Sequence, residues 1–135
     1  MKIQKTDLAQ KLNKIKGVVP KRTNMPVLQG ILAVDGYLIA NNMEMTIKAK
    51  IDGTEGKTFI IPERAFDLIN NLPDGEIEIS ASAKNTVTIK ADKIKNKYQT
   101  MDPVQFPIPS REEEGSMLTI NAEILLQSMK RVFYA

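Results

Sequence analysis

The chain has 135 residues, 42% of them hydrophobic and 26% charged, with a formal net charge of +3 and neither histidine nor cysteine. That length holds one domain with a modest surplus, and the composition is too apolar for disorder. Disulfides, thiolate chemistry and most histidine-dependent triads and zinc sites are excluded, so catalysis would have to rest on carboxylates, lysines or hydroxyls.

Residues 2–5 read as a short strand, and Thr6 as the cap of a helix from Asp7 to about Lys16. Leu8, Leu12 and Ile15 keep the four-then-three spacing of one buried helical face, while Asp7, Gln10, Lys11 and Lys14 lie toward the other. Gly17 and Pro20 end it. After a basic loop, 27–34 reads as a strand, and Asp35-Gly36 as a type I′ turn into a strand over 37–41. In 44–51, Met45, Ile47, Ala49 and Ile51 alternate with Thr46, Lys48 and Lys50, the pattern of a half-buried strand. A further strand over 57–61 leads to Pro62, which suits the first turn of a second helix. Ala65, Ile69 and Leu72, with Phe66 and Leu68, form that helix's buried stripe. Arg64, Asp67 and Asn71 face away, and Pro73-Asp74-Gly75 stops it. Strands over 76–82 and 86–91 form a hairpin around Lys84-Asn85, followed by a strand over 94–101. The expected fold is α+β, an antiparallel sheet with two helices packed on one face.

Residues 1–102 thus form a first domain. The segment 103–116, with Pro103, Pro107, Pro109 and Glu112-Glu113-Glu114, reads as an extended acidic linker. Beyond it a strand over 117–120, a cap at Asn121 and a helix from Ala122 to Phe133 begin a second, truncated domain. An offset of 117 residues lays Ile3 on Ile120, Leu8 on Leu125, Gln10 on Gln127, Leu12 on Met129, Lys14 on Arg131 and Ile15 on Val132. A repeat of this length implies tandem domains. The competing reading is chance, since any two amphipathic helices can be aligned on their apolar residues.

Charge is distributed unevenly. Residues 1–22 carry seven lysines and arginines against Asp7 alone, a net of +6, which leaves −3 for the remainder. A basic region on a mildly acidic body suits a polyanionic partner, and a solvated lysine-rich helix would give the same count. No apolar run is long enough to span a membrane and no signal peptide opens the chain, so a cytoplasmic protein is expected. Consecutive glutamates in a linker cannot converge on a metal, and neither metal nor cofactor is expected.

The segment Gly17-Val18-Val19-Pro20-Lys21-Arg22-Thr23-Asn24-Met25-Pro26-Val27-Leu28 closely resembles the first-domain signature of the bacterial DNA polymerase III beta subunit family, the DNA sliding clamps. Asn42-Met43-Glu44-Met45, Ile61-Pro62-Glu63-Arg64-Ala65-Phe66-Asp67, Leu72-Pro73-Asp74-Gly75-Glu76, Phe106-Pro107 and the stretches Leu118-Thr119-Ile120 and Val132-Phe133-Tyr134-Ala135 agree with that family in order. The sequence departs from it at Asn42, where aspartate is usual, and in a second helix about one residue short. It departs again at Asp92-Lys93-Ile94-Lys95-Asn96-Lys97-Tyr98, where the family commonly has Gly-Arg-Ser-x-Phe. These departures bear on one strand and its subunit contacts.

The resemblance implies a DNA-clamp domain of a non-catalytic replication processivity factor. Three such domains per chain would close as a head-to-tail homodimer ring around double-stranded DNA, and the ring would serve a replicative polymerase and a clamp loader. It further implies that Arg22, with Lys21 beside it, contacts DNA from a loop, and that Lys14, Arg64 and Arg131 face it from helices. Two non-catalytic alternatives remain open: a free-standing nucleic-acid binder without a ring, and a clamp-derived interaction module using an exposed strand edge.

Overall fold

A computed structural model describes residues 1–108 and 115–133. The acidic run Glu112–Glu114, most of the linker's charge, lies outside the described residues, as do Tyr134 and Ala135. The eight strands of the body are β1 (Lys2–Gln4), β2 (Gly30–Val34), β3 (Tyr37–Asn41), β4 (Thr46–Lys50), β5 (Thr58–Pro62), β6 (Glu76–Ser82), β7 (Thr86–Ala91) and β8 (Ile94–Gln99). Its helices are α1 (Lys5–Ile15) and α2 (Arg64–Asn71), and α3 (Ala122–Phe133) follows the linker. The fold is α+β, as expected, but the strands divide between two antiparallel sheets. One runs β1-β6-β7-β8 and the other β4-β3-β2-β5.

The two sheets differ in what they bury, and the sequence pattern follows. In β6 and β7, Ile77, Ile79, Val87, Ile89 and Ala91 turn inward beneath α1 and α2, while their alternates face solvent. In β2, β3 and β5 the apolar runs are nearly continuous, because both faces are covered. Ile31, Ala33, Leu38, Ala40, Phe59 and Ile61 join the core under the helices. Leu32, Ile39 and Ile60 pack on the other side against Val27, Leu28 and Phe106. Phe106 is buried, and the Pro107 carbonyl accepts from Asn41 Nδ2 at 2.9 Å. The body's contacts therefore run past residue 102 into what reads as linker.

Four local expectations need correction. Thr6 is not a cap: α1 begins at Lys5 directly after β1, and the Lys5 N–H donates to the Gly75 carbonyl at 2.8 Å. That long-range bond satisfies one of the donors left without a partner at a helix start. Pro62 closes β5 opposite Gly30 instead of opening α2. The bond from Glu63 N–H to Gln29 O, 3.2 Å, sets the alternation of the ladder so that position 62 faces away from β2, where a missing N–H costs nothing. Residues 117–120 form no strand, since no described segment pairs with them. Pro26–Gln29 is a 3-10 turn, so β2 starts only at Gly30. The Asp35-Gly36 turn is as expected, with φ of 43° and 82°.

Candidate nucleic-acid interface

Leu8, Ala9, Leu12 and Ile15 are buried, which fixes the rotation of α1 and leaves Thr6, Gln10, Asn13 and Lys14 outward. Fully burying a leucine or isoleucine stabilises by about 1.5–3 kcal/mol, so three such anchors outweigh any preference of the polar face. α2 lies beside α1, with the Asn13 and Asn70 amides exchanging bonds at 3.0 and 3.3 Å. Helical periodicity cannot reveal this link between the two polar faces, because it does not say which two amides will meet.

The cations concentrate where α1 ends. Lys14 is exposed in its last turn, and Lys16 opens the 3-10 turn that follows. Val18 is buried, Lys21 and Arg22 are exposed, and the chain returns to the core at Val27 and Leu28. The backbone of this loop is held on both sides of Arg22. Gln29 Nε2 donates to the Lys21 carbonyl at 3.3 Å, and the Met25 N–H donates to Thr23 Oγ1 at 3.0 Å. The Arg22 guanidinium itself has neither ion pair nor hydrogen bond among the described residues. A fixed backbone presenting an unpaired guanidinium suits a phosphate, which its planar fork can grip with two donors.

The other expected residues are placed differently. Arg64 is the first residue of α2, and its Nη2 donates to the Gln99 carbonyl at 3.0 Å, at the lip of a cleft of about 380 Å³. At about 1.5 Å per residue it stands about 9 Å along the axis from Asn70. Exposed Glu63 and Asp67 flank it, so the outer side of α2 is not basic. Lys5, the remaining cation at the start of α1, is engaged with Asp74 at 3.5 Å. Arg131 lies exposed in the last turn of α3, which buries no residue. The structure thus gathers Lys14, Lys21 and Arg22 on consecutive segments, sets Arg64 apart on the neighbouring helix, and does not bring Arg131 to them. No group of three acidic side chains able to hold a metal comes together among the described residues. No described helix is long and apolar enough to cross a membrane.

Two antiparallel sheets with a helix pair on one side, and cations massed at one end of that pair, define a DNA-clamp domain. Residues 1–110 match the DNA polymerase III beta subunit, N-terminal domain, and the chain belongs to that family. Among curated relatives, the beta sliding clamp of Chlamydia muridarum is 26% identical over 141 residues, an overlap of 98% of this chain and 38% of the relative. Among solved structures, the DNA polymerase III subunit beta of Pseudomonas aeruginosa superposes with a TM-score of 0.84 at 24% identity, over 97% of this chain and 38% of that one. The beta subunit from Streptococcus pyogenes gives 0.80 at 20% identity, over 92% and 36%. At these identities the structures speak for the fold. The chain spans less than two-fifths of each of these relatives.

Proposed function

We propose that this chain is part of a replication processivity factor, a non-catalytic cytoplasmic protein that encircles duplex DNA and tethers a replicative polymerase. In this reading 1–102 is the first clamp domain, 103–116 the linker, and 117–135 the strand and helix positions that open a second. The observation that carries it is the exposed, backbone-fixed Arg22 beside Lys21 and Lys14, on a domain of the clamp family. The bare apolar face of α3 supports the second-domain reading. Leu125, Met129 and Val132 are 42, 60 and 74% exposed, whereas their counterparts Leu8, Leu12 and Ile15 are at most 1% exposed.

The mechanism replaces affinity by topology. A closed homodimer ring cannot leave DNA sideways, so its contacts can be weak, directed to phosphates and blind to sequence, which permits sliding. Lys14, Lys21 and Arg22 supply those contacts. Arg64, with one donor on the Gln99 carbonyl, adds a further contact from α2, and Arg131 occupies the position in α3 that Lys14 occupies in α1. A tethered polymerase then works at high effective concentration near the primer end.

The test uses the full-length protein with its clamp loader. Loaded on circular DNA it is retained, and cutting the circle releases it; equal retention on circle and line would contradict enclosure. Arg22→Ala in that protein is expected to weaken loading, at an unchanged melting temperature. A wild-type salt-dependent binding curve for that variant would count against the loop contact.

A further inference from the structure

Packing alone does not hold the loop that carries Arg22. Val18 and Val27 are buried, and no residue between them is. Burial therefore fixes the two ends of the loop and leaves its crest to hydrogen bonds. The bond from the Met25 N–H to Thr23 Oγ1 spans two residues, so it shapes the crest without attaching it. Among the described residues, one hydrogen bond and no ion pair reaches from 20–24 to the chain beyond Met25. It is the bond that Gln29 Nε2 donates to the Lys21 carbonyl at 3.3 Å.

Gln29 is itself firmly placed. It stands between buried Leu28 and buried Gly30. Gly30 lies so close to β5 that a Cβ there would be 2.9 Å from the Ile61 carbonyl oxygen. The Gln29 carbonyl accepts the Glu63 N–H at 3.2 Å, one residue before Arg64 opens α2. Its side chain thus reaches the residue before Arg22, and its backbone the residue before Arg64. The two arginines are held relative to each other through this one residue. A glutamine carries no charge for a phosphate to seek, so its part is indirect. A loose crest must be ordered when a polyanion binds, and apparent affinity falls with the fraction of molecules not already in the competent arrangement. One net hydrogen bond is enough to change that fraction severalfold.

We propose that Gln29 is a positioning residue for nucleic-acid binding, holding the Arg22 loop in a fixed relation to Arg64. The inference rests on the reading of Arg22 as a phosphate contact. The test is a double-mutant cycle on the 135-residue chain, with binding of a short labelled duplex measured for the wild type, Gln29→Met, Arg22→Gln and the double variant. Methionine keeps the length of the side chain and removes the donor. Gln29→Met is expected to weaken binding about 2- to 10-fold when Arg22 is present, and to cost nothing further once Arg22 is glutamine. A role in the fold alone would lower the melting temperature and weaken binding equally in both backgrounds, which would overturn the proposal. So would wild-type affinity for Gln29→Met while Arg22→Gln binds more weakly. Wild-type affinity for Arg22→Gln would instead remove the phosphate contact itself, and the positioning role with it.

Discussion

At Met1 the chain fastens its own beginning to β6. The terminal amine donates to the Ile79 carbonyl at 2.9 Å, and the Ile79 N–H returns a bond to the Met1 carbonyl at 2.8 Å. Burial first, and then the Lys57 ammonium beside it, push this amine from its ordinary 8.0 down to about 6. Between those values the unfolded chain holds a proton that the folded chain has released, so stability rises with pH from 6 to 8 and levels off outside that window. Without histidine or cysteine, no side chain ordinarily titrates there to mask the effect. A urea midpoint higher at pH 8 than at pH 6 is expected; a flat profile would mean the amine is solvated. At this scale the sequence was readable where a side chain's role is local, as with Asp35-Gly36. It misled where a distant group intervened. Thr6 looked like a cap only because Gly75, which satisfies the helix start, is far away in sequence.

Element by element, all eight strands of the body and its two helices could be read from periodicity and turn residues. Their grouping into two sheets could not. Alternation says how many faces of a strand are covered, not which strand covers them, and the partners β1 and β6 are separated by most of the domain. Gly30 shows how such long-range packing is built. A Cβ there would collide with Ile60 Cγ2 and lie 2.9 Å from the Ile61 carbonyl oxygen, so β2 and β5 close only over a residue without a side chain. Gly30→Ala is expected to destabilise the body by about 1–3 kcal/mol, the usual range for overpacking, measured by chemical denaturation. A wild-type midpoint would show that β5 yields at no cost. The same logic explains the absent strand over 117–120, whose partner would have to come from outside the described residues.

In the whole molecule, one end of the helix pair is strongly cationic, and the body is otherwise mildly acidic. The basic count of residues 1–22 pointed to this, and the family resemblance chose Arg22 within it. What the sequence could not supply was the separation of the cations: Lys5 taken up by Asp74, Arg64 anchored on Gln99, and Lys14, Lys21 and Arg22 left together. If duplex passes along the helix side, those three helix-side residues carry the phosphate contacts. The decisive measurement is the salt dependence of duplex binding by the 135-residue chain with and without Lys14→Gln, Lys21→Gln and Arg22→Gln. For the triple variant we expect a slope smaller by about 2 to 3, equal for unrelated sequences, with unfolding unchanged. A slope equal to the wild-type chain's would contradict it.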